Sequence, residues 1–159
     1  MERKFIADAM LGKLARWMRI MGCDVAFFPG IDDPDLAELA ARSGRLLLTR
    51  DTLLIRRAKV RENHFFVEGD HLRDQLRQVV QAFGIDPFPL FLTRCLLCNE
   101  PLLDVEKEKV RDHVPPYVFA TQDSFRVCPS CGRHFWGGTH RARMSEELRR
   151  MLQGIPPLQ

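Results

Sequence analysis

The sequence predicts an α/β fold, a parallel sheet flanked by helices, followed by a small cysteine-rich module. Two observations carry this. Over residues 1–90, short apolar runs alternate with stretches of helical periodicity, the pattern of buried strands each followed by a covering helix. Beyond a break marked by Pro87 and Pro89, four cysteines recur as two pairs, Cys95-Leu-Leu-Cys98 and Cys128-Pro-Ser-Cys131, with 29 residues between the pairs.

The elements can be justified in order. Lys4-Phe-Ile-Ala7 reads as a first strand, and Leu11 to Met21 as a helix whose Leu11, Leu14, Ala15, Met18 and Met21 form one apolar stripe. Asp24 to Phe28 is a second strand, closed by Pro29-Gly30. Asp33 caps the next helix, with Pro34 at its first position and Gly44 at its end. Arg45 to Thr49 is almost wholly apolar, as a strand buried on both faces must be. A helix through about residues 52–60, a strand at Phe65–Val67 and a helix over Leu72–Phe83 complete the pattern. Near the C-terminus, Ser145 caps a short helix to Leu152. The chain thus divides into an αβ domain over 1–90, a second unit with a C-terminal helix over 91–152, and a flexible tail over 153–159.

Two CxxC pairs can each present two thiolates on a tight knuckle, and two facing knuckles give the tetrahedral sulfur site that Zn²⁺ prefers. Asn99 and Gly132 stand after the pairs, where a backbone turning around a metal needs residues tolerant of the left-handed region. The long stretch between the pairs must hold an excursion of its own. Residues 1–20 show no secretory signal, so reduced thiols in the cytoplasm are favoured over disulfides. A redox pair of the thioredoxin kind would need one CxxC beside a βαβ unit rather than two together. Cys95, Cys98, Cys128 and Cys131 are therefore the expected ligands of a structural zinc ribbon, and Cys23 a small buried hydrophobe. A unit of this size cannot bury a sufficient core without its metal. No apolar run reaches the roughly 20 residues that cross a bilayer, which predicts a protein with no membrane partner.

Aspartates follow the strands. Asp8 comes after the first, Asp51 after the third and Asp70 after the fourth, while Asp33 starts the second helix. In a doubly wound sheet the carboxyl ends of the strands share one edge, where ligands bind. The four carboxylates are thus expected to converge, and such a cluster repels itself unless a hard cation such as Mg²⁺ or Mn²⁺ joins it. Capping alone explains Asp33 about as well, and Asp70 could equally cap the helix after it; Asp32 and Asp35 read as solvated charges. Lys13, Arg16 and Arg19 recur every three residues on the first helix and could hold phosphates, or form a solvated face. Arg126, Arg133, His134, His140, Arg141 and Arg143 interleave with Phe125, Phe135 and Trp136, which suits single-stranded nucleic acid or a small packed core. The net charge of +3 decides nothing by itself. No Walker or dinucleotide fingerprint occurs, which argues against nucleoside-triphosphate chemistry.

The run from Phe5 to Asp24, FIADAMLGKLARWMRIMGCD, together with Leu48-Thr-Arg-Asp51, the two CxxC pairs and the segment Cys128 to His140, closely resembles the Mut-seven C-terminal RNase domain family. The resemblance implies a PIN-like nuclease fold with an appended zinc ribbon, and a metal-dependent ribonuclease with acidic residues at Asp8 and Asp51, assisted by Asp33 and Asp70. The expected partner is RNA, single-stranded, cleaved by a metal-activated water. The competing expectation is a non-catalytic adaptor that binds RNA or protein and keeps the scaffold without turnover. A third, hydrolysis of a small phosphorylated metabolite, uses the same metal site in a closed pocket.

Overall fold

A computed structural model describes residues 2–156. Four parallel strands, β1 (Lys4–Ala7), β2 (Asp24–Phe27), β3 (Leu46–Thr49) and β4 (His64–Phe66), form one sheet in the order β2-β1-β3-β4. Because β2 lies on one side of β1 and β3 on the other, the chain reverses direction between β1 and β3. That is the switch point at which doubly wound sheets open a crevice.

Alternation of side chains assigns the two faces. Phe5, Ala7, Leu46 and Leu48 point into the larger core with α1 (Gly12–Ile20) and α3 (Leu72–Phe83). Ile6 and Leu47 point the other way, onto Leu36, Ala37 and Ala40 of α2 (Asp33–Ser43). All four residues of β3 are buried, as its unbroken apolar run predicts. Trp17 is a core residue, and the thiol of Cys23 is buried and pushed up to about 12 by that burial.

Several local expectations are corrected. Residues 52–60 form only a 3-10 turn at Leu54–Arg56 amid bends, with Leu54 and Val60 anchored in the smaller core; the loop is too short of continuous helical hydrogen bonds to make a helix. The cap of α2 is Asp32, whose carboxylate accepts the Asp35 N–H at 2.9 Å, so that Asp33 becomes the first helical residue. Asp70 does not cap α3, since His71 occupies that position without a side-chain hydrogen bond. Strand β4 sits one residue before its expected bounds.

After α3 ends at Gly84, in the left-handed region, Phe88, Phe91 and Leu92 pack on the larger core, Leu92 N donates to the Ile20 carbonyl at 2.8 Å, and the chain enters a second, antiparallel sheet. It consists of β5 (Leu103–Val105), β6 (Phe125–Val127) and β7 (His134–Trp136), in that order. The predicted excursion lies between β5 and β6: a 3-10 turn at Lys107–Val110 and helix α4 (Pro116–Thr121), packed as Val110, Val114 and Phe125 with Val118 and Phe119. The last helix, α5 (Thr139–Met151), starts six residues before the expected Ser145 cap, behind Gly138. Its Leu148 and Met151 are buried in the same core as Phe5 and Leu14, beside α3. Ile155 also packs there, so the chain stays attached to the body beyond Gly154; residues 157–159 of the predicted tail lie outside the described residues.

The ribbon is bolted to the sheet edge. Asn99 donates from Nδ2 to Asp24 Oδ1 at 2.6 Å and accepts the Val25 N–H at 3.0 Å. That N–H belongs to the edge strand β2, where an uncovered backbone would invite another strand. Asp24 also accepts from Arg45 at 2.7 Å. Although burial works against its ionisation, the hydrogen bonds from Arg45 and Asn99 hold the Asp24 carboxyl below the usual range. Among the described residues no helix is long and apolar enough to cross a membrane.

Candidate active site and metal centre

At the carboxyl edge of β1 and β3 the backbone and side chains build one polar knot. The Asp8 N–H donates to Leu48 carbonyl at 3.0 Å, continuing the β1–β3 ladder by one residue. The Asp8 side chain is buried and accepts at Oδ1 from Met10 N at 2.8 Å and at Oδ2 from Arg50 N at 3.1 Å. Thr49 Oγ1 donates to the same Oδ2 and accepts the Asp51 N–H at 2.9 Å. Asp51 in turn accepts from Leu53 N at 2.8 Å and Leu54 N at 3.2 Å through Oδ1, an arrangement that fixes the carboxylate at the turn.

Asp33 stands against Asp51. Partial burial, the Asp51 charge with its hydrogen bond, and the more distant Asp8 charge push its carboxyl above the usual range, and Arg57 offsets only part of this. With Asp32 acting as the cap, capping no longer accounts for Asp33. Asp70 lies at the rim, four-fifths exposed, and pairs with Arg50 Nη2 at 2.6 Å. Asp8, Asp33 and Asp51 are therefore neighbours, and Asp70 reaches them through Arg50. The sequence reading passed over Thr49 and Arg50. The signal for Thr49 was present: a lone hydroxyl closing an apolar strand needs a partner when fully buried.

The three predicted basic residues of α1 separate. Lys13 and Arg16 are exposed. Arg19 is buried, and donates from Nε to Val25 carbonyl at 2.9 Å and from Nη1 to Leu96 carbonyl at 3.0 Å. It braces α1 and β2 against the first knuckle, and has no free face for a phosphate.

The second centre is made of sulfur. The Sγ atoms of Cys95, Cys98, Cys128 and Cys131 all lie within 4.8 Å of one another, the one group of three or more potential ligands so packed among the described residues. The Asp edge is spaced more widely. Cys95 Sγ and Cys131 Sγ are 3.8 Å apart, too far for a disulfide and equal to the edge of a tetrahedron with Zn–S bonds of about 2.3 Å. The two knuckles repeat one backbone design. Cys95 N donates to Glu100 carbonyl and Asn99 N to Cys95 carbonyl; Cys128 N donates to Arg133 carbonyl and Gly132 N to Cys128 carbonyl, all at 2.9 Å. Asn99 at φ 67° and Gly132 at φ 75° hold the equivalent left-handed position. Four thiols at this spacing suit a soft-accepting divalent ion, so the residues present can hold zinc.

Comparison with known proteins gives one match: residues 3–148 fit the family described as Mut7-C RNAse domain. No curated protein and no solved structure matches the chain.

Proposed function

Since the chain belongs to the Mut7-C RNAse domain family, which points to a nuclease role, we propose that it is a divalent-metal-dependent ribonuclease that hydrolyses phosphodiester bonds of single-stranded RNA in the cytoplasm. The observation that carries this reading is the meeting of Asp8, Asp51 and Asp33 at the switch point of the sheet, where Asp33 is held above the usual carboxyl range by its neighbours. Arg57 offsets only part of the repulsion among these carboxylates, and an all-oxygen set of hard donors suits Mg²⁺ or Mn²⁺ as the further positive charge.

Asp8 and Asp51 would hold the cation. When bound, it supplies charge to the scissile phosphate and lowers the pKa of a water. Thr49 fixes the two carboxylates relative to each other, by donating to one and accepting from the backbone of the other. Asp33, the third carboxylate of the group, would accept a proton from the attacking water. Arg50, held by Asp70, faces the rim, where a guanidinium can take a non-bridging phosphate oxygen. The zinc ribbon, in this reading, stabilises the body and contributes no chemistry.

The test is incubation of the zinc-loaded protein with mixed single-stranded RNA in Mn²⁺, in Mg²⁺ and without added divalent metal, beside an Asp8→Asn/Asp51→Asn variant checked for folding and zinc content. Metal-dependent cleavage should fall by more than about a hundredfold in the variant. If both proteins are inert yet bind RNA alike, the adaptor reading replaces this one.

A further inference from the structure

Between α1 and the ribbon lies a groove of about 540 Å³, within the range of ligand sites. Arg16 stands on its α1 wall, Arg126, Phe135 and Trp136 on the ribbon sheet, and His140 and Arg141 at the start of α5. None of Asp8, Asp33, Asp51 and Asp70 lines it, and the proposed chemistry makes no use of it.

Its charge is one-sided. Asp104 is the one acidic residue of the lining, against four arginines including the structurally committed Arg94. Asp104 meets Arg126 Nε at 3.4 Å, with its carboxylate 94% exposed, so a phosphate can displace it at little cost. Among the described residues neither Arg16 nor Arg141 has a carboxylate within 4 Å, and Arg141 rests on the Phe91 ring at 5.5 Å. Trp136 is 40% exposed, although aromatic rings of this size are normally covered. Its ring leans on Phe125 at 6.4 Å between centroids, which fixes one edge and leaves a face for a planar partner.

Cations that fit phosphate oxygens, flanking an exposed ring held rigid, recognise one chemistry: a sugar-phosphate strand whose unpaired bases can stack. We infer that this groove binds a single-stranded segment of nucleic acid, with a base stacked on Trp136 and the adjoining phosphates on Arg16, Arg126 and Arg141. That the strand is RNA rests on the ribonuclease reading; the groove itself does not. Lys13, one turn before Arg16 on the same helix, extends the track toward Asp8.

The experiment is binding of a fluorescein-labelled ten-nucleotide U-rich RNA to the zinc-loaded full chain without added Mg²⁺ or Mn²⁺, followed by anisotropy, together with tryptophan emission. Trp17 is buried, so quenching on binding reports on Trp136. Trp136→Ala should weaken binding by roughly five- to a hundredfold and remove the quenching, while Trp136→Phe retains most of the affinity. Arg16→Gln, on an exposed helix position, should lower the slope of log affinity against log salt by about 0.7. RNA binding with unaltered affinity and quenching in both Trp136→Ala and Arg16→Gln overturns the inference. So does equal displacement of the RNA by poly-glutamate of matched charge, which would make the groove a site for acidic protein segments. Cleavage is read separately: a chain that binds through Trp136 but never cuts refutes the nuclease reading and leaves the groove standing.

Discussion

Replacing Asn99 by glycine isolates the bond between the metal knuckle and the sheet. Glycine keeps the left-handed backbone that the knuckle needs at φ 67°, so zinc binding should persist. What is lost is the pair of side-chain hydrogen bonds to Asp24 and Val25. The first runs to a carboxylate and contributes about 1.5–3 kcal/mol; the second is neutral and contributes about 0.5–1.5 kcal/mol. Water can reach part of this edge, which lowers the sum, so we expect a loss of about 2–3 kcal/mol. The Asp24–Arg45 pair is only 14% and 19% exposed, so its partner strength is not erased by solvent. Equilibrium denaturation in zinc-containing buffer measures the loss, and a cycle with Asp24→Ala measures the coupling, expected at about 1.5–3 kcal/mol. A zinc-replete Asn99→Gly protein within about 0.5 kcal/mol of the parent, or a coupling near zero, would refute the reasoning.

Four other outcomes follow from the geometry. Asp32→Ala should cost about 1 kcal/mol of stability by uncapping α2 and leave RNA cleavage at the parent rate, whereas Asp33→Asn should reduce cleavage; denaturation and initial rates side by side distinguish the two neighbours. Gly22→Ala places a Cβ against the Leu90 carbonyl at φ 92°, and should destabilise by at least about 2 kcal/mol, seen as a Tm drop of roughly 4–8 °C. The Cys23 thiol, raised by burial from an ordinary 9.0 to about 12, keeps its proton in the folded chain where the unfolded chain releases it. Stability from this group is therefore complete below pH 9 and falls above it by up to about 1.4 kcal/mol per pH unit, an alkaline loss that Cys23→Ala should abolish in pH-dependent denaturation. Chelation, or Cys95→Ser, should release one zinc per chain and collapse the ribbon's near-ultraviolet signal, read by metal analysis and circular dichroism.

Much of this was legible in the residues. The apolar run ending at Thr49 and the stripe of α3 gave strand and helix because burial dictates their period, and the cysteine pairs announced their knuckles by spacing alone. What failed to show was the outcome of competition among adjacent polar groups. Asp32 and Asp33 are both good caps by type, and it is the extended backbone at Asp32, with its carboxylate on the Asp35 N–H, that makes Asp32 the cap. Arg19 repeats at the same spacing as Lys13 and Arg16, yet that spacing carries it around the helix into the ribbon contact, which local sequence does not encode. The first turns of α5 are exposed and arginine-rich with little apolar period, so local sequence does not mark its start; its place is set by Leu148 and Met151 against a core built from the other end of the chain.

That return of α5 gives the ribbon the status of a cross-linked polymer loop. Both stems are sunk in one core, α3 through Leu76, Val79 and Val80 and α5 through Leu148 and Met151, so the intervening chain is anchored at both ends by contacts that do not involve the thiolates. The entropy of closing a loop grows only with the logarithm of its length, and here that cost is already met by the core. The metal-free ribbon therefore searches a small volume beside its own docking edge, at high effective concentration, and reloading with metal becomes a local rearrangement instead of a refolding of the whole chain.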